Sequence, residues 1–131
     1  MTLYRPVGLF EYRLIEESGF ARFPPRLYWQ PIFYPVLTES YAVKIAREWN
    51  TTDKASGYVG YVTKFEVDDE YAARFEVHVV GNEDCQELWV PSEELEDFNA
   101  HLRGKIEIVE IFKGPDFDEN AVMPAMLKEE F

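Results

Sequence analysis

Apolar positions along the chain switch between two periods, and each stretch predicts one element. Leu3-Tyr4-Arg5 is a short apolar run closed by Pro6 and Gly8, which predicts a strand ending in a turn. A helix fits residues 9–18, because Phe10, Leu14 and Ile15 share one face and Gly19 stands where a helix end favours glycine. Phe23-Pro24-Pro25-Arg26 cannot continue that helix and is expected to be extended. The apolar run over residues 31–37 is bracketed and interrupted by Pro31 and Pro35, so it predicts an irregular edge strand. Ala42, Ile45, Ala46 and Trp49 then recur at helical spacing, which predicts an amphipathic helix over residues 41–49 capped by Thr38 or Ser40.

Residues 50–57 are polar and end in Gly57, the clearest loop in the chain. Val59, Tyr61, Thr63, Phe65 and Val67 alternate with their neighbours and predict a long strand. Asp68 caps a short turn through Ala73, and further strands are expected over residues 75–80 and 87–90. Ser92 is placed to cap a third helix whose Leu95, Phe98 and Leu102 share a face, with Gly104 after it. Residues 105–112 carry apolar side chains on both faces, which predicts a strand inside the sheet. The order of elements describes an α+β domain over residues 1–112, with residues 113–131 an acidic irregular tail.

Composition narrows the function classes. The chain has 131 residues, enough for one domain, and its 47% hydrophobic residues exclude intrinsic disorder. Aromatics reach 16%, so rings must build much of the core or of a cleft. A net charge of −12 opposes non-specific nucleic-acid binding. That charge is lopsided: residues 1–50 hold six basic and five acidic side chains, while residues 51–131 hold seven and twenty. An anionic ligand is therefore expected against the N-terminal half. A lone cysteine, Cys85, fits a reducing cytoplasm, and neither a secretory signal nor a membrane span is read in the sequence.

Familiar chemical motifs fail on inspection. Asp116, Asp118 and Asn120 begin like a calcium loop, but Ala121 stands where the turn demands glycine and Leu127 where a carboxylate belongs. His78, His101 and Cys85 have no metal-ligand spacing, so no metal is expected. The acidic neighbours Glu83, Asp84 and Glu87 argue against Cys85 as a nucleophile.

Three segments remain, each before a helix: Leu3-Tyr4-Arg5-Pro6, Phe33-Tyr34-Pro35-Val36 and Glu87-Leu88-Trp89-Val90-Pro91. With Glu39-Ser40-Tyr41-Ala42-Val43-Lys44-Ile45-Ala46 and Gly104-Lys105-Ile106-Glu107-Ile108, they resemble a small bacterial family described as ADP-ribosylation/crystallin J1. The resemblance covers roughly residues 3–112. Crystallin-related ADP-ribosyl hydrolases are larger all-helical metal enzymes, and this chain lacks their acidic metal-binding motifs. The arrangement is instead similar to mono-ADP-ribosyltransferases, whose split, mostly antiparallel sheet, here with about three helices, grips NAD. The resemblance implies Arg5, Tyr34 and Glu87 as the site residues, with NAD as substrate.

The chemistry gives each of them a role. Cleaving the nicotinamide–ribose bond develops positive charge on the sugar, and a carboxylate such as Glu87 stabilises it. A guanidinium binds phosphate in a fork, the role open to Arg5 with Arg26 as helper. Tyr34 or Trp29 offers a face for stacking on nicotinamide. This reading requires Arg5, Tyr34 and Glu87 to meet at one concave site. The acidic excess of residues 51–131, and Pro6 where the transferase pattern has glycine after its first-strand residue, motivate a second reading. In it the chain is a non-catalytic relative, an immunity-like or antitoxin-like acidic module that binds a basic protein.

Overall fold

Strand β1 (Thr2–Val7) lies antiparallel to β3 (Val59–Val67), and β3 lies antiparallel to β7 (Leu102–Lys113), giving the order β1-β3-β7. The computed structural model describes residues 1–27 and 30–122. Between these strands the chain forms α1 (Leu9–Glu17), β2 (Ile32–Phe33) and α2 (Glu39–Glu48). After β3 come α3 (Asp69–Ala72), β4 (Val77–Val79), β5 (Gln86–Leu88), β6 (Val90–Pro91) and α4 (Leu95–Ala100). Helices and antiparallel strands thus build an α+β fold.

Val36 extends the sheet. Its backbone exchanges hydrogen bonds with Tyr4 at 2.9 and 2.7 Å, and on its other side it bridges to Glu87. Leu88 N–H donates to Pro35 at 2.8 Å and Leu37 N–H to Gln86 at 3.1 Å. β5, and through it β4, is thereby joined to β1 by a strand one residue long. β2 pairs separately with β6.

The alternation of β1 sends Leu3, Arg5 and Val7 to one face and Tyr4 to the other. On the first face α1 buries Leu9, Phe10 and Ile15 among Phe23, Phe33, Phe65 and Phe98. On the second, Ala42 and Ala46 of α2 pack on Val36 and Val62. That helix lies hard against the sheet, since a Cβ on Gly60 would come within 2.7 Å of the Ala46 Cβ and carbonyl oxygen. Local signals set the helix ends. Thr38 Oγ1 accepts from Tyr41 N–H, and Gly19 at φ +74° closes α1, with Phe20 N–H donating to Ile15 O and Gly19 N–H to Glu16 O.

Several expectations need correction. β7 is an edge strand, with Ile111 exposed and Ile106 its one fully buried residue, because β3 takes the middle and is buried on both faces. The strand expected over residues 75–80 shrinks to Val77–Val79, and that over 87–90 divides at Trp89, where the chain leaves β4 and turns to pair with β2. Ser92 does not cap the third helix; Ser92–Glu94 is a 3-10 turn and α4 starts at Leu95. Gly104 lies inside β7 at φ +78°, beside the register shift between Lys64 and Glu66. Lys113 belongs to β7, and residues 114–122 are docked on the body: Arg13 donates to Glu119 and Ala121 carbonyls at 2.6 Å each, and Phe117 packs on the core. Residues 123–131 of the expected tail, Leu127 among them, lie outside the described residues. No helix among the described residues is long and apolar enough to cross a membrane.

Candidate functional site

A cavity of about 650 Å³ opens between the start of α1, the end of α2 and the β5 ribbon. Its size suits a small-molecule ligand. Arg5, Arg26, Tyr34 and Glu87 all line it. Trp29 lies outside the described residues.

The floor begins with a charge on the wrong face. Arg5 shares the apolar side of β1 with Leu3 and Val7, and a buried charge there requires a partner. Glu11, in the first turn of α1, supplies it through a fork: Arg5 Nε donates to Oε2 at 2.8 Å and a terminal nitrogen to Oε1 at 2.9 Å. Arg26 approaches the same carboxylate at 3.8 Å. The three side chains are only 10%, 16% and 12% exposed for Arg5, Glu11 and Arg26. Phe33 lies beneath both guanidiniums, 4.6 Å from Arg5 and 5.9 Å from Arg26.

Two guanidiniums against one carboxylate leave the floor with a net positive charge. Burial, and then the like charge of Arg5, push Arg26 down to about 10, which keeps it cationic at neutral pH. Burial opposes ionisation of Glu11, but Arg5 and Arg26 outweigh it and hold the carboxyl below its usual range. Among the described residues, Arg26 Nε is buried with no acceptor. Arg5 already spends two donors on Glu11, whereas Arg26 meets that carboxylate only at 3.8 Å.

Glu87 forms part of the wall. Its backbone is set by the bridge to Val36, and its carboxylate is tethered twice: Tyr41 Oη–H donates to Oε2 at 2.7 Å and Trp89 Nε1–H to Oε1 at 3.1 Å. Burial, and then this contact with Glu87, push the Tyr41 phenol well above its ordinary value. A carboxylate offers about four acceptor positions, so two remain open. Tyr34 and Trp89 meet edge to face at 5.7 Å on the rim, and His78 stacks on the other side of Trp89 at 3.7 Å. Trp49, 57% exposed, and Val80 complete the apolar edge.

The loop after α2 supplies the remaining polar groups, Asn50, Asp53 and Ser56. Gly8 lets this loop close on the start of α1, because a Cβ there would lie 2.5 Å from Ser56 Cα. Sequence reasoning missed Glu11, Tyr41 and Asn50. The strand alternation that puts Arg5 inward was the available signal for Glu11, and nothing local marked the other two. Ile45 and Trp49 were expected in the core face of α2, yet they line the cavity while Ala42 and Ala46 alone are buried.

No protein-family profile, curated protein or solved structure matches this chain.

Proposed function

We propose that the cavity binds NAD or a closely related pyrophosphate dinucleotide, and that the chain is an ADP-ribosyltransferase-like protein acting at the nicotinamide–ribose bond. The observation that carries this reading is a pair of buried guanidiniums sharing one carboxylate in the same cavity as the tethered Glu87 carboxylate. Arg26 takes a phosphate oxygen at its open donors, and Arg5, pinned by Glu11, holds the Phe33 platform and the positive field around it. Tyr34 or Trp89 packs on the nicotinamide ring. Glu87 stabilises the positive charge that grows on the ribose as the bond to nicotinamide breaks and its electron pair leaves with the ring nitrogen. Water or an acceptor nucleophile then attacks C1′ and releases its proton to solvent.

Calorimetric titration with NAD, with nicotinamide release followed in parallel, tests this. Wild type is expected to bind; Arg26→Ala should weaken binding at least roughly 10-fold, and Glu87→Gln should bind yet release nicotinamide about 100-fold more slowly. No binding by wild type overturns the reading. The second reading, a non-catalytic module for a basic protein, is favoured by the acidic surplus of residues 51–131, twenty acidic side chains against seven basic ones. Salt-sensitive capture of a basic protein without any NAD response would replace the first reading with it.

A further inference from the structure

The loop after α2 carries a polar group that the proposed chemistry does not use. Asn50 is 3% exposed, lines the cavity, and its Oδ1 is a buried acceptor without a donor among the described residues. Its orientation is fixed. Ser56 Oγ–H donates to Asp53 Oδ2 at 2.7 Å, which uses the single hydroxyl proton. The same oxygen can therefore only accept from Asn50, and it does so from Nδ2 at 2.9 Å. Turning the amide over would set two acceptors, Asn50 Oδ1 and Ser56 Oγ, against each other. Asp53, through Ser56, thus decides which end of the Asn50 amide is committed and which is left bare.

We infer that Asn50 is a specificity-determining residue whose Oδ1 accepts a hydrogen bond from a planar N–H2 group of the ligand, with Ser56 and Asp53 as positioning residues. The inference rests on the dinucleotide reading above. NAD carries two such groups, the nicotinamide carboxamide and the adenine amine. A site built around a bare acceptor rejects a ligand that brings a second acceptor or no donor to that point. Arg26 Nε, a buried donor without an acceptor, supplies the complementary half. Two residues of the cavity lining thus each bury one unpartnered polar atom, a donor on Arg26 and an acceptor on Asn50.

The test compares three ligands by calorimetry: NAD, nicotinic acid adenine dinucleotide, which lacks the carboxamide donor, and nicotinamide hypoxanthine dinucleotide, which lacks the adenine amine. Wild type is expected to bind one of the two analogues at least roughly 10-fold more weakly than NAD, and which one identifies the group read. Asn50→Leu should lose that discrimination. Ser56→Ala keeps the Cβ packed under Gly8 but removes the lock, so the amide is free to turn and the preference should shrink or reverse. Equal binding of all three ligands by wild type overturns the inference and leaves the dinucleotide reading standing. Discrimination that survives both substitutions also overturns it, since repulsion from Asp53 and Glu87 would then be its source. Failure of wild type to bind NAD overturns both.

Discussion

Glu11 carries more than its position in the first turn of a helix would suggest. It is the only carboxylate that the described residues place against the two buried guanidiniums of Arg5 and Arg26. Removing one member of a buried ion pair leaves charge without compensation, so Glu11→Gln should destabilise the fold by about 3 kcal/mol, read from urea unfolding at pH 7. The sign of the pH effect follows from the depressed carboxyl. Its folded value lies below the ordinary 4.5, so the pair's contribution is full above that value and is lost as pH falls through the folded one. Wild type should therefore lose stability more steeply than Glu11→Gln on acidification below about pH 4.5. Equal slopes for the two proteins would refute the coupling.

Among the elements, α2 shows how packing and site are tied. Its close seat on β3 depends on the bare Cα of Gly60, and it ends at Trp49 on the cavity rim. Gly60→Ala drives a methyl group into Ala46, including its backbone, which no rotamer change relieves; a loss of about 1–3 kcal/mol is expected by thermal unfolding, with weakened ligand binding as Trp49 is displaced. The elements themselves were largely legible. The Ala42, Ile45, Ala46 and Trp49 spacing, the Thr38 cap and the alternation from Val59 to Val67 are local signals, and the helices and strand they predict are present. Strand order was not legible, because β7 and β3 are similarly apolar and only long-range pairing decides which lies at the edge. The site was legible in part. Arg5, Tyr34, Glu87 and Arg26 line one cavity, but the pairing of Arg5 with Glu11 was not legible, because the facing of β1 could not be fixed without its neighbours. Asn50 was hidden for a different reason: its meaning depends on a proton shared between Ser56 and Asp53, which no spacing encodes.

Taken together, the chain places two buried guanidiniums at the floor of a cavity whose wall carries Asp53 and Glu87, in a protein of net charge −12. The excess acid lies in residues 51–131, whereas both guanidiniums come from residues 1–50. A dinucleotide that binds only the folded state must raise its melting temperature. At a ligand concentration 100 times the wild-type Kd the gain is about 2.7 kcal/mol, or roughly 10 °C for a domain of this length, and differential scanning calorimetry should show about half of that shift or less for Arg26→Ala at the same concentration. Val36 gives this arrangement its mechanical character. Arg5 lies in the strand on one side of that residue and Glu87 in the strand on the other, and the sheet between them is stitched by the two peptide units that flank Val36. The two walls of the cavity therefore meet at a joint one residue wide, and its width is set where the backbone is narrowest.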